Sequence, residues 1–152
     1  MNDLEYMGLA FEEAKLAYKK NEVPVGAILV INGKIIAKAH NKREKNNNPL
    51  GHAEVNVIIK ASNKLKNRIL EDAILYVTLE PCLMCAGLIL QTRIKKVIYG
   101  AREPKFGVLG SLGNVYLDYK FNHQVEIIGP VMEQKVSELM KKFFKELRDQ
   151  KK

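Results

Sequence analysis

The sequence predicts an α/β fold, a layered sandwich with helices on both faces of one sheet. Three observations predict it. Stretches with a helical apolar repeat alternate with short apolar runs of strand character along the whole chain. One of those runs, residues 73–79, is apolar almost without a break, as a strand is when both of its faces are covered. The chain has 152 residues, 47% of them hydrophobic, which suits one domain with one core. Residues 1–152 are therefore read as a single domain, without repeats, linkers or low-complexity segments.

Taken in order, residues 3–20 predict an amphipathic helix. Leu4, Met7, Phe11, Ala14 and Tyr18 mark its core face, Glu5, Glu12, Glu13, Lys15 and Lys19 take the other faces, and Asp3 is placed to cap it. Residues 24–31 predict a strand. Asn32-Gly33 is a two-residue hairpin turn, since both residue types tolerate positive φ, and residues 34–39 return. Gly26 inside that strand marks either a close approach, by a ligand or another backbone, or a bulge. Residues 40–51 form a polar, basic loop with three consecutive Asn and a Pro. A helix over 52–63 follows, with Val55, Ile58, Ile59 and Ser62 along one side and His52 and Glu54 in its first turn. A charged connector, 64–72, leads to the strand 73–79. Glu80-Pro81 ends that strand, and Pro81 suits the opening of a helix over 82–91. Residues 96–99 predict a strand, 100–114 a Gly-rich loop and 125–128 the last strand. The final helix, 131–150, carries Val136, Leu139, Met140, Phe143, Phe144 and Leu147 on one face and lysines on the other.

The formal net charge is +8. It fits a polyanionic partner such as nucleic acid, or a compositional bias toward Lys, Asn and Ile. No apolar run approaches the roughly 20 residues of a membrane span. The polar, acidic start Met1-Asn2-Asp3-Leu4-Glu5 does not read as a signal peptide. The only two cysteines stand three residues apart, a pattern of a reducing cytoplasm and not of a disulfide scaffold.

Those cysteines, in Pro81-Cys82-Leu83-Met84-Cys85, are read together with His52-Ala53-Glu54. Positions three apart on a helix are neighbours, so Cys82 and Cys85 present their sulfurs to one side. Helix N-termini favour their thiolate forms. Two thiolates and one imidazole make a zinc ligand set with the fourth position open for water, and Glu54 is the right group to move that water's protons. At 3.6 residues per turn, positions two apart diverge by roughly 200°, so His52 and Glu54 cannot both face a metal from mid-helix. Other readings stand beside this one. Cys-x-x-Cys alone suits a redox pair, His-Ala-Glu alone carries almost no information, and a structural zinc would take a fourth ligand from His40 or His123. Jointly, His-x-Glu and Pro-Cys-x-x-Cys are the signature of the zinc-dependent base deaminases.

Nearly the whole chain resembles the tRNA-specific adenosine deaminase family, within the cytidine/deoxycytidylate deaminase superfamily. The resemblance rests on those motifs and on Glu22-Val23-Pro24-Val25-Gly26-Ala27, Asn41, Gly100-Ala101-Arg102, Lys105, Gly110-Ser111-Leu112 and Phe121-Asn122-His123-x-Val125-Glu126. It implies a three-layer α/β/α sandwich with a five-stranded mixed sheet of cytidine-deaminase type, and one zinc-dependent deaminase domain over 1–152. It implies hydrolysis of adenosine to inosine at the wobble position of a tRNA anticodon, in a cytoplasmic homodimer. By position, His52, Cys82 and Cys85 match the ligands of one Zn²⁺ per subunit, Glu54 the proton shuttle, and Asn41 the group that hydrogen-bonds the flipped base, with Val25 and the backbone around Ala53 helping to hold it. Asn48-Pro49-Leu50-Gly51 replaces a frequent Asp-Pro-Thr-Ala, and Glu103 a common Asp, in loops that would touch RNA.

An unstacked anticodon loop suits chemistry on a flipped base. Lys42, Arg43 and Lys45, then Arg102 and Lys105, are the expected phosphate contacts on the anticodon arm; Asn122 and His123 are weaker candidates, and His123 fits a packed role equally. Lys141, Lys142, Lys145, Arg148, Lys151 and Lys152 make the last helix basic. Apolar residues around Phe106-Gly107-Val108-Leu109 could supply a dimer interface. Two further functions stay open: a deaminase of a free base or nucleoside, and a non-catalytic zinc-stabilised RNA-binding module, which would have no use for Glu54.

Overall fold

A computed structural model describes residues 1–151; Lys152 lies outside the described residues. The element order is α1 (Asp3–Lys19), β1 (Gly26–Ile31), β2 (Lys34–His40), α2 (Ala53–Leu65), β3 (Ala73–Leu79), α3 (Leu83–Gln91), β4 (Lys96–Ala101), α4 (Val115–Asp118), β5 (Glu126–Ile128) and α5 (Glu133–Gln150). The strands form one five-stranded sheet in the order β2-β1-β3-β4-β5. β1 pairs antiparallel with β2 and β3, whereas β3–β4 and β4–β5 are parallel, so the sheet is mixed as expected.

Alternation along the strands divides the core into two layers. Ala27, Leu29, Leu75, Val77, Val97 and Tyr99 face one side and meet Val57, Ile58 and Ala61 of α2 and Ala86 and Ile89 of α3. Ile28, Val30, Tyr76 and Ile98 face the other and meet Tyr6, Met7 and Ala10 of α1. α5 joins α1 on that second side, where Phe11, Ala101 and Val136 form a cluster. Because strand side chains alternate with period two, neighbouring residues of the central strands serve opposite layers.

Met7, Phe11 and Ala14 of α1 and Val136 and Phe143 of α5 are buried as the sequence predicts, while α1 and α2 differ from that reading at other residues. In α1 the buried face is Tyr6, Met7, Ala10, Phe11, Ala14 and Ala17, and Leu4 is 58% exposed. The cap is Asn2, whose side chain accepts from the Glu5 N–H at 2.8 Å. Asp3 instead accepts the Tyr76 hydroxyl at 2.6 Å. In α2 the buried residues are Ala53, Glu54, Val57, Ile58 and Ala61, while Ile59 is exposed and Val55 half-buried. The short helix α4 lies in the stretch between β4 and β5, where the sequence predicted only a Gly-rich loop to 114 and no element before the last strand.

Gly26 resolves to a close approach by another backbone. A Cβ there would stand 2.1 Å from the Ala10 carbonyl oxygen and 2.5 Å from the Ala14 nitrogen, so α1 lies flat on the start of β1. The register shift in β1–β2 falls between Leu29 and Val30 instead. Asn32 and Gly33 have φ of 50° and 76°, the hairpin turn the sequence predicts.

Candidate metal centre and active site

Two helix starts build the site. His52 is the residue before the first turn of α2 and has extended backbone, with φ −71° and ψ 150°. Cys82 holds the same place before α3, with φ −80° and ψ 176°, and Cys85 lies one turn on. His52 therefore leaves the helical spiral. This removes the divergence expected of residues two apart, and lets His52 and the first-turn Glu54 address the same space.

The Nδ1 of His52 is 3.7 Å from the Cys82 Sγ and 3.5 Å from the Cys85 Sγ. All three ligand atoms lie within 4.8 Å of one another. A tetrahedral zinc with bonds of about 2.0–2.3 Å sets its ligand atoms roughly 3.5–3.8 Å apart, so the separations from the imidazole fit such an ion. The donor chemistry fits as well. Cys82 is held down at about 4, first by the Cys85 thiol that hydrogen-bonds to it, then by His52, against the opposing effect of burial. Cys85 is driven up, because it keeps its proton on that bond, is buried, and lies near the Glu54 carboxylate. The pocket alone thus favours one thiolate; holding two takes a cation between them. His52 is raised, chiefly by its bond to Cys82, with burial opposing and the Glu54 charge reinforcing.

Glu54 is 4% exposed. Burial raises its carboxyl to about 7, against the lowering effects of a backbone N–H and of His52. A carboxyl poised there takes and returns a proton at neutral pH with little driving force lost in either direction.

The spare histidines do not join this group. The Nδ1 of His40 is 3.0 Å from Glu13 and its Nε2 is 3.3 Å from the Lys20 ammonium. His123 donates through Nε2 to the Ile94 carbonyl at 2.8 Å. Among the described residues, His52, Cys82 and Cys85 are the one group of three such ligands, and both cysteines are free.

Asn41 is buried, and its Oδ1 accepts the Ala53 N–H at 2.7 Å. That bond fixes the carboxamide beside the His52 turn and leaves its Nδ2 as the group able to donate. It also means that the Ala53 N–H is occupied by Asn41, so its contribution to a base would be indirect. Val25 is buried in the core layer shared with Ala53. Asn56, which the sequence did not single out, donates through Nδ2 to the His40 and Gly51 carbonyls and ties the start of α2 to the end of β2.

The basic residues divide into three places. Lys42 and Arg43 are half-buried in the loop that leads to His52, and the Arg43 Nε is buried without a hydrogen-bond partner. Arg102 and Lys105 line an open groove of ≈ 770 Å³ between the loop after β4 and α5, together with Phe106, Phe144, Lys141 and Arg148. Asn122 and His123 line a separate hollow of ≈ 430 Å³ with Arg68 and Arg93. The expected apolar patch at 106–109 is only partly exposed. Phe106 is on the surface, but Leu109 is in the core and Gly107 is buried.

The model of the MafB19-like deaminase family matches residues 1–148. A tRNA-specific adenosine deaminase of Bacillus subtilis (strain 168) is 50% identical over 147 residues, covering 97% of this chain and 91% of the relative. A solved structure from biochemical and structural studies of A-to-I editing by tRNA:A34 deaminases at the wobble position of transfer RNA superposes with a TM-score of 0.84. It is 38% identical and covers 90% of this chain and 99% of that one. The X-ray structure of guanine deaminase from Bacillus subtilis is more distant, at 29% identity and a TM-score of 0.66, covering 98% of this chain and 95% of that one.

Proposed function

The chain belongs to the MafB19-like deaminase family and to its tRNA-specific adenosine deaminases, and from that membership we propose that it hydrolyses adenosine to inosine at the wobble position of a tRNA anticodon. The observation that carries the reading is the grouping of three metal-ligand atoms, with the His52 Nδ1 3.5 and 3.7 Å from the two sulfurs as a tetrahedral zinc would set it, and the buried Glu54 carboxyl beside them.

His52, Cys82 and Cys85 would hold one Zn²⁺ per chain. When bound, the ion supplies a Lewis acid that brings the pKa of a water molecule toward neutrality. Glu54 would take one proton from the attacking water as the water oxygen bonds to C6 of the adenine ring. The carboxyl would pass that proton to ring nitrogen N1, then take the second proton from the hydroxyl now on C6 and hand it to the amine, so that the C6–N bond breaks and ammonia leaves. Asn41, locked by its bond to Ala53, orients the base. Lys42, Arg43, Arg102 and Lys105 contact phosphates of the anticodon loop, a reading supported by the net charge and by the mixed cationic and aromatic groove along α5. Asn122 and His123 are weaker contacts, since His123 is already engaged by a carbonyl.

A homodimer is the proposed assembly, supported by the exposed Leu83, Leu112, Leu117 and Tyr119. The free thiols of Cys82 and Cys85 suit a reducing cytoplasm. No helix among the described residues is long and apolar enough to cross a membrane.

The test is inosine formation by the zinc-loaded protein on an anticodon stem-loop with wobble adenosine, beside free adenosine, cytidine and guanine in one buffer. Turnover of the stem-loop alone is expected. The likeness to the guanine deaminase supplies the second reading, deamination of a free base. Turnover of guanine without the stem-loop would replace the first reading by that one.

A further inference from the structure

Two buried carboxylates stand outside the reaction just described. Glu22 and Glu80 are each 2% exposed. Among the described residues neither belongs to an ion pair. Each is balanced by amide donors from one loop. The Oε1 of Glu22 accepts the N–H groups of Arg43 at 2.9 Å and Glu44 at 3.1 Å, and its Oε2 accepts that of Lys45 at 3.1 Å. The Oε1 of Glu80 accepts the Glu103 N–H at 3.1 Å and the Ser111 hydroxyl. Its Oε2 accepts the Leu109 and Ser111 N–H groups, both at 3.0 Å. Gly107 leaves room for this carboxyl, since a Cβ there would fall 2.3 Å from the Glu80 Cδ.

Both loops are joined to metal-ligand turns. The first begins after Asn41, is closed by the Lys42 N–H on the Gly51 carbonyl at 2.8 Å, and ends at His52. The second is tied to the turn that carries Cys82 by the Val108 N–H on the Pro81 carbonyl at 3.1 Å. The ligand turns have backbone anchors of their own, the His52 turn in the Asn41–Ala53 bond and the Asn56 bonds to His40 and Gly51, the Cys82 turn in the Glu80 N–H on the Ala101 carbonyl and the Ala86 N–H on the Cys82 carbonyl, both at 2.8 Å. Loosening the loops therefore frees the backbone under Arg43, Lys45, Glu103 and Lys105 without dismantling the ligand set.

We propose that Glu22 and Glu80 are positioning residues, each bracing one of the two loops that frame the base pocket, and that together they set how tightly the RNA strand is held. The proposal rests on the wobble-adenosine reading for its substrate, but the braces themselves do not. Amide donors in place of basic side chains suit the task. They leave the loop's own Lys and Arg free for phosphate, and they hold backbone, which a mobile lysine cannot do. The Glu22 carboxyl shows the grip. Burial alone would raise it, yet the Glu44, Lys45 and Arg43 N–H groups together bring it below its ordinary value.

The experiment compares the native zinc-loaded protein with Glu22→Gln and Glu80→Gln. The carboxamide keeps the volume but turns one acceptor into a donor facing N–H groups. Ser111→Ala, which removes one donor and keeps the carboxylate, is the milder second variant for Glu80. Amide hydrogen exchange is expected to speed about tenfold at residues 43–45 in the first variant and at 103–111 in the second, with β1 and β3 unchanged. KM for the stem-loop is expected to rise about tenfold, with kcat within about threefold and metal content equal to native. Ser111→Ala should move both in the same direction by less. Unchanged loop exchange, exchange rising through the whole sheet, or a fall in kcat at constant KM would each overturn the proposal. If the native protein ignores the stem-loop, the functional reading fails by itself. The exchange comparison then decides the braces, with local deprotection upholding them and unchanged protection removing them.

Discussion

In the proposed mechanism turnover depends on Glu54, and its burial supplies the reason: a carboxyl held at about 7 is an acid and a base at once near neutral pH. Glu54→Ala is expected to lower kcat by at least roughly 10²–10⁴-fold while leaving the metal in place, because the carboxyl is not one of the three grouped ligands. Metal analysis beside single-turnover kinetics checks this, and retained turnover would remove the assigned role. Asn41→Ala has a second consequence that a simple base contact would lack. It strands the buried Ala53 N–H, so a stability loss of about 1–3 kcal/mol should accompany the loss of base binding, read in urea unfolding. That His52, Cys82 and Cys85 would come together with Glu54 beside them was legible because zinc-type chemistry needs few residue types at fixed spacing. Their geometry was not. That His52 stands before α2 in extended backbone follows from the tight path of the preceding loop, and residue identity alone does not carry it.

At the scale of elements, the site depends on how flatly α1 and α2 lie on the sheet. Gly26→Ala would drive a methyl group into the α1 backbone at Ala10 and Ala14, and backbone has no rotamer to yield. A loss of about 1–3 kcal/mol is expected, seen as a lower urea midpoint with an unchanged slope. This contact is also why α1 misled the pattern. A helix pressed this close buries small residues, Ala10 and Ala17, that hydrophobic size does not mark, and turns Leu4 outward, while Met7, Phe11 and Ala14 of the predicted face stay buried. α2 misled it differently, by burying a carboxylate, Glu54, beside the pocket while exposing Ile59. The strands were legible nearly to the residue, because burial on both faces leaves an unbroken apolar run, as in β3. The loop braces were invisible, since nothing in a lone Glu before or after a turn tells which amides it will gather. Their pH dependence has a definite sign. The folded Glu22 carboxyl lies below its ordinary 4.5, so its ionised form is the one the fold favours. Its contribution is complete above about 4.5 and is lost as pH falls through the lower folded value. Protection of the 43–45 amides should therefore collapse in that acid window in the native protein, and stay low and flat in Glu22→Gln.

For the molecule as a whole, the open question is what a net charge of +8 is for. Charge spread over a solvated surface would leave substrate affinity almost independent of salt beyond the Debye length. Charge gathered at loops braced toward a pocket would not. The structure gathers a part of it: Lys42 and Arg43 on the loop to His52, and Arg102 and Lys105 on the loop after β4. If these four each neutralise one phosphate of a single-stranded anticodon loop, at a slope of about −0.7 per contact, the logarithm of the binding constant should fall with the logarithm of salt at roughly −3. Joining Lys141 and Arg148 of the groove would steepen it toward about −4. Titrating a catalytically silent Glu54→Ala protein with the stem-loop across salt concentrations measures the slope without turnover. Replacing Arg102 and Lys105 by Ala should flatten it by about one to two contacts' worth, whereas replacing Lys135 and Lys142, whose ammonium groups lie over Phe11 and Tyr18, should leave it unchanged. A slope near zero would mean that the basic residues are a property of the composition and that the RNA is held by the base pocket alone. A slope near −3 that survives loss of the tail lysines but not of the loop arginines would place the recognition in the two braced loops.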